Sequence, residues 1–398
     1  MRGRPLLYTA YEEEQSLLPT ATQRWGLGAL VFLAVLLPLG GLKLWFIDFG
    51  FLGNDDWLII INQALIWGIA ALGLNLLTGV AGQVSLGHAF FMAVGAYTAV
   101  VLGGSGDNFW GLGLPIWIWL PMAGVVPALV GIIVAPTAVR VRGLYLAIVT
   151  LGLVFVGEHL WRNLSFVAGG PTTGRHWPAL EIRFWKEQNP LLNFSTDGDW
   201  FGIFLTDKAK TFYLLLALLI VFTLIAKNLI RTRVGRSWAA IRDRDIAAEI
   251  MGVGEAKGKL QAFAVSSFFA GIGGALIAAV LGVIIPEFWS LQLSVEFIAI
   301  ILIGGAGTVA GTLMGSFFVT DPATNGGWLA WLADPIIAEG SDRCCISTAA
   351  AGPGLSVFDL NVLLFGILIV VFLIAEPLGL YGIWIRVRNY WKGWPFTY

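Results

Sequence analysis

Between Trp57 and Gly106 the chain carries no Asp, Glu, Lys or Arg. A helix crosses a bilayer in about 20 residues, so this run is too long for one crossing. Its middle, "LNLLTGVAGQVSLGHAFF" from Leu74 to Phe91, is nevertheless polar and broken. Asn75, Thr78, Gln83, Ser85 and His88 are interspersed with Gly79, Gly82 and Gly87. Backbone that leaves the helical path at membrane depth is tolerated only where protein buries it or it lines a wet cavity. The stretch therefore predicts an interrupted segment between two apolar helices.

Composition places the rest of the chain in the same class. The 398 residues are 57% hydrophobic and 12% charged, with a mean hydropathy of +0.80, whereas a soluble domain carries about 25% charge. The expected fold is all-α: a polytopic membrane protein of about 8–10 transmembrane helices, glycine-broken or re-entrant segments included. The net charge of -1 gives no basis for a nucleic-acid partner. Two adjacent cysteines, Cys344 and Cys345, exclude a disulfide framework and a cysteine-rich metal site. Two inert thiols are a commoner outcome than a vicinal disulfide.

A polar segment, 1–24, precedes the first apolar run, Trp25 to Leu42. Without a clear small-residue cleavage site, that run reads as a retained helix rather than a signal peptide. Further spans are expected at 57–77, 86–103, 114–138, 143–160, 211–227, 259–284, 294–319 and 361–385, on hydropathy rather than periodicity. Short-loop charge sets the orientation. Arg2, Arg4 and Arg24 put the N-terminus inside, as do Arg140 and Arg142 for their loop and six basic residues for the 228–258 loop. The acidic 320–360 loop and the mixed-charge 161–210 loop fall outside, and the 386–398 tail falls inside. With 259–284 running outward and 361–385 inward, 294–319 cannot cross once. It must enter and return, or cross twice in short pieces, and "IGGAGTVAGTLMG" (303–315) has the glycines for a break.

Two interrupted segments suit a transporter, in which breaks in both halves of an inverted repeat face the substrate path. No residue-level repeat links these two, so the symmetry is an expectation only. The candidate path residues are Asn75, Thr78, Gly79, Gly82, Gln83, Ser85, Gly87, His88, Gly304, Gly305, Gly307 and Gly311. Small residues also let helices pack closely, and that plainer reading suits Gly271, Gly273 and Gly274 in 259–284. A lone His88 more often packs between helices than carries protons, and Glu158 and His159 suit an interface.

The loop "RTRVGRSWAAIRDRDIAAEIMGVGEAKGK" (231–259) has a different character. From Ser237 as N-cap, helix formers run to Met251, and Gly252 can end the helix. Trp238, Ile241, Ile246 and Ile250 offer apolar contact, and Arg242, Asp243, Arg244, Asp245 and Glu249 offer charge. A bounded helix of this kind suits docking into a groove on a cytosolic partner; a solvated positive-inside loop would need neither the acids nor the boundary.

The stretches "LLTGVAGQVSLGHAFFMAVGAY" (76–97), "RGLYLAIVTLG" (142–152), "VGRSWAAIRDRDIAAEIMGV" (234–253), "GGAGTVAGTLMG" (304–315) and "EPLGLYGIW" (376–384) resemble the permease subunits of bacterial ABC importers for branched-chain amino acids. The resemblance covers about 57–385, and 25–385 is the expected permease domain. It implies a bacterial inner-membrane subunit that pairs with a homologous second permease, two cytosolic ABC ATPase subunits and an extracytoplasmic solute-binding protein. ATP would be bound by the ATPases, leaving this chain without a cofactor or catalytic residue. The loop helix resembles the coupling motif that fits a cleft in the ATPase. Trp238, Ile241, Arg242, Asp243, Asp245, Ala247, Ala248 and Gly252 are the residues in question, although the Glu that would begin the motif is missing. The 320–360 loop fits the family least and reads as an insertion.

Other function classes fit less well. "GAGTVAGT" (305–312) lacks the lysine of a phosphate loop. An ion-coupled secondary transporter would place a buried Asp or Glu on its path, and the runs 57–106 and 108–139 have none. His88, His159 and His176 have no metal-ligand spacing and no nucleophile stands by an evident base, so an enzyme fits least. Urea and short-amide importers have closely related permeases and are the alternative substrate class.

Overall fold

A computed structural model describes residues 21–39, 55–104, 110–140, 143–169, 174–177, 180–182, 192–200, 203–320 and 378–393, with pieces at 43–44, 47–48, 346–347, 355–356 and within 363–376. Cys344, Cys345 and nearly all of the 320–360 loop lie outside the described residues, as do the 1–20 segment and much of the 361–385 span.

Charge-free sequence becomes helix wherever the backbone must satisfy its own hydrogen bonds. The helices are α1 (Ala21–Leu36), α2 (Asp55–Leu74), α3 (His88–Gly103), α4 (Ile116–Arg140), α5 (Leu144–Asn163) and the short α6 (Ser165–Ala168). They continue with α7 (Asp207–Arg231), α8 (Arg233–Asp243), α9 (Asp245–Ile250), α10 (Glu255–Leu281), α11 (Leu291–Gly304), α12 (Val309–Val319) and α13 (Gly379–Gly393). Among the described residues 5 helices are long and apolar enough to cross a membrane, and α1, α3, α11 and α12 are shorter apolar helices. The protein is an all-α, multi-pass membrane protein.

α10 lies at the centre, packed against α2, α3 and α4. Lipid supplies no hydrophobic drive between helices, so close van der Waals packing at small residues must hold them together. A Cβ at Gly274 would collide with Met92 O of α3, and one at Gly271 with Ala123 O of α4; at Gly273 it would stand 2.6 Å from Ala70 Cβ of α2. The three glycines expected to serve packing do so on three neighbours at once.

At the basic end the 231–259 loop meets Gly82, Gln83 and Gly143. At the opposite end Arg175–His176 pairs with Val283–Ile284, and two further short ribbons pair Glu181–Ile182 with Leu192–Asn193 and Gly198–Trp200 with Ile203–Leu205. The 161–210 loop is thus partly strand. Buried Arg175 closes this ribbon end by donating to the carbonyls of Trp110 (2.6 Å), Val167 (3.0 Å) and Val100 (3.4 Å). Tyr97 stacks on Trp161 with ring centroids 4.4 Å apart beneath it.

The 294–319 segment is a hairpin. α11 and α12 have 14 and 11 residues, about 21 and 16 Å at 1.5 Å per residue, each shorter than one crossing. Gly304 faces Gly311 and Gly315, and Gly315 faces Ile300, so the two run antiparallel. The segment turns back on itself at its glycine-rich centre.

The loop helix differs from expectation. Instead of one helix from Ser237 to Met251 there are two, α8 and α9, broken at Arg244 (φ -156, ψ 101). Thr232 precedes α8 and Ser237 lies inside it, donating its hydroxyl to Val234 O at 2.6 Å. Gly252 does stop α9: at φ +83 its N–H bonds to Glu249 O (2.9 Å), and the Val253 N–H bonds to Ala248 O (2.9 Å).

Gly274→Ala should lower stability by about 1–3 kcal/mol, the cost of overpacking a tight contact. Gly152→Ala, with nothing within 4 Å, should leave it nearly unchanged. Thermal unfolding in detergent separates the two; equal shifts would refute the packing role of Gly274.

Candidate translocation path and coupling site

α2 ends in a wide turn. Asn75–Val80 is a π-helix, with Ala81 N–H bonded to Leu76 O (3.0 Å) and Gln83 N–H to Leu77 O (3.0 Å). Such bulges recur at functional sites. Gly82 follows at φ +70, a conformation that glycine adopts without steric cost, and turns the chain toward α3. Thr78 Oγ1 donates to Gln83 O (3.1 Å), and Gln83 Nε2 donates to Ala81 O (3.3 Å).

The second break lies directly against the first. Gly305–Thr308 links α11 to α12, and the Gly307 N–H donates to Asn75 Oδ1 (2.7 Å) while Asn75 Nδ2 donates to Thr308 O (3.2 Å). One buried carboxamide thus serves an orphan donor and an acceptor of the facing turn. Gly79 lies against Gly307 so closely that a Cβ there would meet Gly307 N. Thr308 caps α12, its Oγ1 accepting from Gly311 N–H (3.2 Å). Gly305 packs on Leu378 O at the start of α13.

The other expected path residues lie a little apart. Leu86 N–H donates to Thr150 Oγ1 (2.9 Å), Gly87 N–H to Ser85 Oγ (3.2 Å) and Ala89 N–H to Ser294 Oγ (3.0 Å). These hydroxyls satisfy the freed amides around the start of α3. His88 is buried, with its ring 4.9 Å from that of Phe297 and its Nε2 without a hydrogen-bond partner. Thr150, Ser294 and Thr308 were not singled out in the sequence. Only Thr308 had a signal, a threonine just before a helical run.

α8 closes the basic side of this site. Trp238 is fully buried and its Nε1 donates to Gly258 O of α10 (3.0 Å); Ile241 is buried beside it. Both were expected to offer contact to a partner, and both are instead consumed inside this chain. Arg242 Nη1 donates to Gly79 O of the π-turn. A cleft of about 220 Å³ opens here, lined by Gly82, Gln83, Arg242, Arg244, Asp245 and Lys259 among others. Lys259 pairs with Glu255 one turn away at 2.6 Å. Asp243 and Ala247 are exposed and Ala248 is buried; Asp245 Oδ1 accepts from Ile246 N–H (2.8 Å) at the start of α9. α9 and the residue after it leave Ile246, Ile250 and Met251 exposed, at 62%, 81% and 84%, beside exposed Glu249. Among the described residues no group of His, Cys, Asp or Glu could hold a metal ion.

Residues 57–373 match the family described as branched-chain amino acid transport system, permease component. The chain belongs to that family. Among its relatives, the high-affinity branched-chain amino acid transport system permease protein LivM of Salmonella typhimurium strain LT2 is 35% identical over 255 residues, 63% of this chain and 58% of that protein. LivM of Escherichia coli strain K12 is 33% identical over 297 residues, 73% of this chain and 65% of that protein. The autoinducer 2 import system permease protein LsrC of Photorhabdus luminescens is 30% identical over 196 residues, 42% and 58% of the two chains. The chain thus spans about six tenths of the length of the LivM proteins it matches. No solved structure matches.

Asn75→Ala would leave the Gly307 amide and one Thr308 contact unmet, costing about 1–3 kcal/mol. Hydrogen exchange at the Gly307 amide should speed up accordingly; unchanged protection would show that Asn75 does not hold the two turns together.

Proposed function

We propose that this chain is a permease subunit of an ATP-driven importer for branched-chain amino acids, in a bacterial inner membrane. The single observation that carries the reading beyond family membership is the α8–α9 unit. It is anchored inward through Trp238, Ile241 and Arg242, and it presents Ile246, Ile250 and Met251 outward. A short helix with exposed apolar side chains, seated through α8, suits a groove in a cytosolic partner, and an ATPase subunit is that partner here. ATP is bound by two such subunits and not by this chain. A homologous second permease completes the path, and an extracytoplasmic solute-binding protein docks on the ribbon end.

Positive loop charge puts the 231–259 loop and both termini in the cytoplasm. The two glycine-broken turns joined by Asn75 shape the path near its inner end. A branched-chain amino acid is a zwitterion with an apolar tail, and hydroxyl, amide and backbone groups beside apolar walls can pass it without tight binding. Selectivity between such substrates and urea or short amides then rests chiefly with the soluble binding protein.

Ile250→Asp with Met251→Ser should abolish co-purification of the ATPase subunits in mild detergent while leaving the melting temperature of this chain within a degree or two. Retained ATPases would refute α9 as the docking surface. Uptake of labelled leucine by the assembled complex, competed by valine and isoleucine and not by urea, is the matching substrate measurement.

A further inference from the structure

Arg242 is exposed and lines the cleft, and its guanidinium also reaches back into its own chain. We infer that Arg242 is a latch, a positioning residue that links movement of the coupling helices to both broken segments; this rests on the importer reading above. Three observations converge on it. Arg242 Nη1 donates to Gly79 O, a carbonyl at the C-terminal end of α2 where a cation is favoured by the helix dipole. The π-turn sends Gln83 N–H to Leu77 O, and the arginine takes up the Gly79 carbonyl. The same side chain fills the space that Gly82 leaves open, since a Cβ there would stand 2.7 Å from Arg242 Cγ and 3.0 Å from its Cβ. Finally, a Cβ at Gly307 would stand 3.2 Å from Arg242 Nη1 and 3.2 Å from Gly79 O, so the guanidinium lies over the point where the two turns meet.

The result is a short mechanical chain. α9 contacts the ATPase, α8 carries Arg242, Arg242 grips the π-turn, and Asn75 ties that turn to the tip of the α11–α12 hairpin. Trp238 holds the other side of α8 on α10, whose tight packing makes it the fixed element. A rotation of α8 about the Trp238 anchor therefore pulls or releases Gly79, and through Asn75 it moves Gly307. Lysine could keep the charge, but its single ammonium on a narrower stem would not lie over both Gly79 O and Gly307. The glycines at 79, 82 and 307 serve this contact: each gives room for arginine or for the facing turn.

The test uses Arg242→Ala and Arg242→Lys in the full chain, followed by hydrogen exchange in detergent. The latch predicts faster exchange, by roughly three- to ten-fold for a hydrogen bond of ordinary net strength, in peptides covering 76–84 and 305–309. Exchange in α8 and α10, held by Trp238, should not change, and Arg242→Lys should show a smaller effect. Unchanged exchange at 76–84, or an equal rise across α8, would overturn the latch. In the reconstituted complex, Arg242→Ala should keep its ATPases but hydrolyse more ATP per solute moved. Loss of the ATPases would assign Arg242 to the partner surface and overturn the inference, as would an unchanged ratio of ATP to solute. A wild-type chain that recovers no ATPase would overturn the importer reading by itself, and the exchange pattern would still decide whether Arg242 holds the turn.

Discussion

Everything in this bundle depends on how closely α10 approaches its neighbours. In lipid a leucine face gains little by leaving the tails for another helix, so contact must come from dispersion at short range. α10 provides it with glycines that touch Met92 O, Ala123 O and Ala70 Cβ on three different helices. That contact makes α10 a rigid reference running from the basic end to the ribbon end. The Trp238 indole then fastens α8 to its first turn, where the buried Glu255–Lys259 pair joins successive turns of α10 itself.

Against this frame, the breaks at 75–83 and 305–308 are affordable only because their orphan groups find partners. Each unsatisfied group at membrane depth would cost several kcal/mol. Asn75 serves Gly307 N–H and Thr308 O, Arg242 serves Gly79 O, and Thr150 and Ser294 serve amides near the start of α3. Few side chains hold each turn, and each comes from a different element. Such turns are rigid while those contacts persist and free when one is withdrawn, which suits a path that must open and close.

The division between inward and outward residues of the 231–259 loop follows the same logic. Trp238 and Ile241 are large and apolar in a basic loop, and they found a place against Gly258, where α10 has no side chain. Arg244, by contrast, sits in extended conformation and ends α8. The break separates α9 from α8, with Ala248 buried and Ile246, Ile250 and Met251 exposed.

Several features were legible in the residues alone. Absence of charge over 57–106 determined a membrane protein, glycine with hydrogen-bonding side chains marked the first break, and loop charge was inconsistent with a single crossing by 294–319. Gly252 marked the end of α9, because a glycine after a helical run can take the left-handed conformation that closes it. These are properties of local sequence and of transfer into lipid. The tertiary structure alone decided which groups satisfy the breaks and which way the loop residues face. Asn75 and Gly307 are 232 positions apart, and Arg242 and Gly79 are 163 apart. A polar residue in sequence announces that it needs a partner, but the partner is chosen by where α10 and the hairpin bring distant backbone together.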